Sequence, residues 1–275
     1  MGVKEKAISY SQVAIFKQLY NYRFGTVDLL ARDYGLSGAH SIYTKLAVLV
    51  KHGYLGRKYQ CSYRLEGRAA EYFLLPKAFS YLRLLDNISG NTLKNIYKDV
   101  HASRRFIDYC LDIYRVDLAL KSYYRHKLWI FTGSNLNFIE FKHFPRPLPD
   151  SFISLRVSSD PQIPRQYYFL DIYSSHVPLF VHSKKLKNYC QYLAGGQWEQ
   201  VTHTQLSGIL MVAETPALAR RLLETTADIL ESAAINDDQL FYITTKDQLL
   251  NLSSEDPAIW QQVIKPTISR SLPNM

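Results

Sequence analysis

Hydrophobic spacing changes along this chain from a helical period to a strand period. Val13, Phe16, Leu19 and Tyr20 recur at three- and four-residue intervals and predict a helix over 9–20. A shorter helix over 27–34 stops at Gly35, a residue type favoured just past a helix C-terminus. After a turn at 35–38, a third helix covers 40–52, with Leu46, Leu49 and Val50 toward the core and Gly53 at its end. Residues 55–65 read as a hairpin and 66–73 as a closing helix. A connector at 81–98 leads to a long amphipathic helix over 99–120. The period then shortens. A strand ends at 128–131, and two arms, 150–157 and 166–173, flank the turn 158–164. Ile153, Leu155 and Val157 share one face of the first arm, with Phe152, Ser154 and Arg156 on the other. A helix at 183–193, an apolar strand at 208–213, a helix opened by Thr215-Pro216 and running to 233, a strand at 241–245 and a short helix complete the pattern.

Charge divides the chain as the periodicity does. The net charge is +9, and residues 1–80 hold twelve Lys/Arg against five Asp/Glu, or +7, leaving +2 for the remainder. Three short helices and a hairpin carrying that charge read as a winged helix-turn-helix over 1–80, which docks on DNA by placing its third helix in the major groove and wing cations on phosphate. His40, Ser41, Tyr43, Thr44 and Lys45 are the candidates on the leading face of that helix, and Arg57, Lys58 and Arg64 flank the wing. Such modules also serve as protein or dimerisation contacts.

With 275 residues, 47% of them apolar, the chain can bury a large core, and it holds no apolar run of about 18 residues for a membrane span. No apolar stretch follows the charged Met1-Gly-Val-Lys-Glu-Lys6, and Cys61, Cys110 and Cys190 fit neither a disulfide framework nor a zinc spacing, so the expected compartment is the cytoplasm. Trp129, Trp198 and Trp260 are expected to fill the core. Gly195-Gly196 reads as a loop, with no P-loop lysine after it.

The candidate chemistry lies in the hairpin at 150–173. The midpoint between Asp150 and Asp171 falls at the Asp160-Pro161 turn, so antiparallel arms bring the two carboxylates together. Paired carboxylates at a strand end suit Mg²⁺ or Mn²⁺, which can serve phosphodiester hydrolysis. A polar outer face explains Asp108 and Asp112 as well as a third acid would.

The order helix, three strands, helix, strand matches the α/β restriction-endonuclease-like core, giving an α+β chain with this domain over 99–275. The layout resembles the replication-relaxation family of plasmid proteins, which includes MOBC-class relaxases. The likeness runs from the N-terminal module to about Trp260, through Gly53-Tyr54-Leu55, Leu148-Pro149-Asp150, Phe169-Leu170-Asp171, Lys185-Leu-Lys-Asn-Tyr189 and Ile209-Leu-Met-Val212 before Thr215. It implies a PD-(D/E)xK-type nicking endonuclease with Asp150, Asp171 and the Ile172 carbonyl as ligands for Mg²⁺ or Mn²⁺. Tyr173 stands where such nucleases carry lysine and cannot supply its positive charge. Lys185 is the preferred substitute among Lys184, Lys185 and Lys187, although a solvated helix face also explains these lysines. A covalent tyrosine nucleophile at Tyr173 is the other possibility. The implied partners are double-stranded DNA at an origin-like site and other DNA-processing or secretion-coupling proteins. A homodimer would suit half-site reading. The alternative is a non-catalytic accessory, recruiting factor or transcriptional regulator built on a degenerate nuclease fold.

Overall fold

The computed structural model describes residues 8–36, 39–84, 88, 90–137, 139–160, 162–233, 240–252, 258–263, 269–270 and 272. Residues 37–38 of the expected first turn, 85–87 and 89 of the expected connector, and 161 of the hairpin turn lie outside the described residues. The chain is a mixed α and β protein forming two compact units. One comprises Met1–Tyr114 with Gly133–Phe138, the other Arg115–Thr132 with Ile139–Met275.

The first unit contains α1 (Tyr10–Tyr22), β1 (Phe24–Thr26), α2 (Val27–Asp33), α3 (His40–Lys51), β2 (Leu55–Lys58), α4 (Cys61–Leu65), β3 (Glu71–Leu74), α5 (Pro76–Leu82) and α6 (Gly90–Ile96). The start of α7 (Arg104–Tyr124) also belongs to it. Helices α1 to α3 bury Ile15, Phe16, Leu19, Leu29, Leu30, Ile42, Leu46 and Leu49, as their apolar stripes require. Thr26 caps α2 by accepting from the Leu29 amide at 3.3 Å.

Two sequence expectations fail in this unit. The hairpin does not occupy 55–65, and 66–73 is not a closing helix. Strand β2 ends at Lys58, the short α4 follows, and β3 returns between β1 and β2 in an antiparallel sheet. All four residues of β3 are buried, so a one-sided helical stripe could not have accommodated them. Glu71 is the costly member. Arg104 pairs with it, and Tyr63 donates to it at 3.2 Å.

The boundary also shifts. The units part between Tyr114 and Arg115, inside α7, rather than at 81–98. The residues before that point are bound into the first unit's core. Buried Asp99 accepts hydrogen bonds from Arg23, Tyr22 stacks on Tyr114 at 3.9 Å, and the Tyr114 hydroxyl donates to Asp33 at 3.1 Å. The 3₁₀ turn Gly133–Asn137 packs on α1. Gly133 has a positive φ, and a Cβ there would run into the Asn21 carbonyl, so only glycine passes.

The second unit is built on a seven-stranded sheet. Its strands are β4 (Leu128–Thr132), β5 (Ser151–Leu155), β6 (Gln166–Tyr173), β7 (Gly208–Ala213), β8 (Phe241–Thr245), β9 (Trp260–Gln262) and β10 (Ser269–Arg270), in spatial order β10-β9-β8-β7-β6-β5-β4. The β6–β7 and β7–β8 pairs are parallel and the others antiparallel. Between strands run α8 (Leu179–Ala194), α9 (Gln197–Thr202), α10 (Pro216–Ser232) and α11 (Lys246–Leu250). Thr215 caps α10, with proline at its first turn. Strands β6 and β7 are buried along nearly their whole length, as expected where helices cover the sheet. Trp198 and Trp260 are buried, but Trp129, on edge strand β4, is 56% exposed and corrects the expectation of three core tryptophans. No helix among the described residues is long and apolar enough to cross a membrane.

Candidate functional site

Register brings the two hairpin aspartates together. Ser151 pairs with Leu170, so one position further Asp150 stands opposite Asp171. Their side chains interlock with the backbone. The Asp150 amide donates to Asp171 Oδ1 at 3.0 Å, and the Ile172 amide donates to Asp150 Oδ2 at 2.8 Å.

Helix α8 brings the cation. Lys185 Nζ lies 2.6 Å from Asp171 Oδ1 and 3.8 Å from Asp150 Oδ1. The side chains are 19%, 1% and 8% exposed for Lys185, Asp171 and Asp150. Burial works against the ammonium, but the two carboxylates and the hydrogen bond to Asp171 outweigh it and raise the Lys185 pKa. Lys185 is therefore a charged donor at neutral pH, not a base. Lys184 and Lys187 are exposed on the same helix.

Around this triad lies a shell of buried aromatic groups. Tyr173 is 1% exposed, its ring centroid is 5.0 Å from that of His182, and its hydroxyl has no hydrogen-bond partner. Burial, then the charges of Asp171 and Asp150, raise its pKa well above a phenol's usual value. Tyr173 is thus a neutral phenol, a poor nucleophile. Tyr189 is raised likewise by burial and by Asp171, and its hydroxyl completes no hydrogen bond in this arrangement. His182 Nε2 lies 3.0 Å from the Ser174 carbonyl, and burial lowers its pKa. Glu214, just past β7, accepts from Ser175 N at 2.7 Å and from both serine hydroxyls of Ser174-Ser175, fixing the loop between β6 and α8.

Sequence reasoning missed His182, Tyr189 and Glu214 as neighbours of the site. The first two had a visible signal, because 182, 185 and 189 fall on one face of a helix. The third acid sought on the long helix is not supplied by Asp108, which pairs with Arg104 in the first unit. The acid of α7 that meets the hairpin is Asp117, which accepts from Ser151 Oγ at 3.0 Å. Ser151 and Asp150 point to opposite faces of the sheet, so Asp117 braces the strand from behind. Thr132 Oγ1 holds the Asp150 carbonyl at 2.8 Å.

Oxygen donors dominate the triad, which suits Mg²⁺ or Mn²⁺, since such ions commonly take one or two carboxylates and fill the rest with water and phosphate. Asp171 Oδ2 is buried without a hydrogen-bond partner, an orphaned acceptor that an ion would satisfy. Among the described residues, no group of three or more His, Cys, Asp or Glu forms a metal cluster, so any ion here rests on the aspartate pair.

In the first unit, His40, Ser41, Tyr43 and Thr44 are exposed on α3, Tyr43 by 50%, and Lys45 is half-buried. Arg57 is exposed over the Tyr59 ring, and Arg64 lies on α4 rather than on a strand. Lys58 is spent internally, donating to the carbonyls of Val100 at 3.0 Å and Ala102 at 3.4 Å, so it is not a loose wing cation.

No family model matches this chain, and no curated protein matches its sequence. Among solved structures, the chain is similar to the restriction endonuclease FokI bound to DNA, at 11% identity and a TM-score of 0.30, covering 87% of this chain and 43% of that one. It is similar to FokI in a second structure at 10% identity and a TM-score of 0.30, covering 91% and 45%. The chain thus spans less than half the length of FokI.

Proposed function

We propose that the protein is a metal-dependent DNA-nicking endonuclease of relaxase type, acting at an origin-like site in plasmid mobilisation or replication. The observation that carries this reading is the convergence of Asp150, Asp171 and Lys185 at one strand end. Asp150 and Asp171, with the Ile172 carbonyl, would hold Mg²⁺ or Mn²⁺. Bound there, the ion supplies positive charge to the phosphodiester and lowers the pKa of a water. Lys185 restores the cation that Tyr173 cannot provide, and its raised pKa keeps it charged to stabilise the developing phosphorane. Buried Tyr173, Tyr189 and His182 would exclude water behind the carboxylates. Hydrolysis adds the water oxygen to phosphorus and breaks one P–O ester bond, which leaves a nick.

The first unit supports the docking half of this reading. A helix–strand–helix–helix order and a three-stranded antiparallel sheet support reading it as a winged helix-turn-helix, with the exposed α3 residues as the reading face. A second reading, a recruiting or regulatory protein on a degenerate nuclease fold, is favoured by Tyr173 in the lysine position and by the lack of a third clustered acid among the described residues.

A supercoiled plasmid carrying the DNA that flanks the protein's own gene tests the proposal. It is incubated with protein in Mn²⁺ or in EDTA, beside Asp150→Ala. Mn²⁺-dependent conversion to open circle, lost in the variant, is expected. A retarded band without nicking would transfer the assignment to the recruiting reading.

A further inference from the structure

One end of strands β4, β5 and β6 in the second unit carries a row of three cations. The Arg156 amide donates to the Lys127 carbonyl at 2.8 Å, and the β5–β6 register sets Arg156 beside Arg165. Lys127, Arg156 and Arg165 therefore flank the ends of three adjacent strands, one position before β4, after β5 and before β6. Among the described residues none of the three pairs with a carboxylate. Like charges at directly opposed positions destabilise a sheet, and the Arg156 charge, after burial, lowers the Arg165 pKa. Such a cost is offset when an anion binds.

Two residues along each strand, on the same face, the next row is Trp129, Ser154 and Tyr167. Trp129 is 56% exposed, with the Arg165 guanidinium 4.2 Å over its ring. Arg165 is fixed there by donating to Ser154 Oγ at 2.6 Å and to the Ser154 carbonyl at 2.7 Å. Tyr167 stacks on Phe152 with centroids 6.0 Å apart, so the platform rests on the aromatic core. A large flat ring left in water beside aligned cations matches a ligand with aromatic faces and repeating negative charge.

We propose that Trp129, Lys127, Arg156 and Arg165 form a binding platform for single-stranded nucleic acid, with a base on Trp129 and phosphates on the three cations. Unpaired bases have free faces to stack, whereas duplex bases do not. Strand parity puts Asp150 and Asp171 on the same face, about six residues or roughly 20 Å along β5 from Arg156. The platform goes beyond the nicking reading and requires no metal.

The test uses the full chain in EDTA and an oligodeoxythymidylate of about 20 nucleotides, beside a duplex of equal length. Trp198 and Trp260 are buried, so quenching of tryptophan emission reports on Trp129. Quenching by the single strand is expected. Trp129→Ala should weaken its binding about 5- to 150-fold. Lys127→Ala with Arg156→Ala should make the slope of log affinity against log salt shallower by about 1.4. These side chains are exposed, and matching urea curves check that the variants fold. Absent binding, binding without quenching, or unchanged affinity in the variants would overturn the platform. Equal Trp129-dependent binding of the duplex, or displacement by polyglutamate at equal charge, would overturn the single-strand assignment. Asp150→Ala should bind the oligonucleotide normally, so loss of nicking and loss of the platform remain separate results.

Discussion

Replacing Lys185 by methionine tests whether the cation belongs structurally to the aspartate pair. Met keeps much of the stem volume and removes the ammonium. Asp171, 1% exposed, then keeps the amide of Asp150 as a donor but loses its only cation at 2.6 Å among the described residues. Breaking a buried pair from one side typically costs about 3–5 kcal/mol. Lys185 is 19% exposed and water can partly replace it, so the lower end applies, about 3 kcal/mol. For a unit of this size that corresponds to a fall in Tm of roughly 6–12 °C. The assay is equilibrium urea unfolding of Lys185→Met, Asp171→Asn and the double variant, with exposed Lys184→Met as control. The double variant should be more stable than the sum of the single losses predicts, by about 1–3 kcal/mol, since it removes both charges together. Mn²⁺ should restore part of the stability of Lys185→Met if the aspartates bind the ion. Additive losses, or a Lys185→Met curve superimposable on that of Lys184→Met, would refute the pairing.

Three further outcomes are expected. Tyr173→Phe should retain nicking and be as stable as the parent or about 1 kcal/mol more stable, because it removes a buried hydroxyl without a partner; abolished nicking, read on the same supercoiled plasmid, would revive the tyrosine nucleophile. His182 has a folded pKa below its ordinary 6.5, so the unfolded chain binds its proton more readily; the stability this gives is present above pH 6.5 and lost as pH falls through the folded pKa. Urea midpoints should therefore drop below pH 6.5 more steeply in the parent than in His182→Gln. Lys45→Ala with Arg57→Ala should weaken duplex binding and make its salt slope shallower by about 1.8, measured by anisotropy at several salt concentrations.

The convergence of the aspartates was legible because strand pairing is a one-dimensional rule: equal distances from a turn become neighbours. Lys185 was legible only through the resemblance, since nothing local distinguishes it from exposed Lys184 and Lys187. Strand β3 was missed for a physical reason. Tyr72, Phe73 and Leu74 form an apolar run too short for periodicity to assign, and the partner that lets Glu71 be buried beside them, Arg104, stands 33 positions later. Trp129 was misjudged because hydrophobicity ranks a residue type, whereas an edge strand decides exposure.

The excursion of Gly133–Phe138 into the first unit means that the backbone passes between the two units three times, at 114/115, 132/133 and 138/139. No single cut yields either unit whole. A fragment ending at Tyr114 would lack the turn that lies on α1, and one beginning at Arg115 would start in mid-helix. The two units cannot be exchanged whole with those of another protein by one crossover in the gene. A nick by protease in the 133–137 turn would loosen the first unit although the cleaved bond is more than a hundred residues from that unit's first strand.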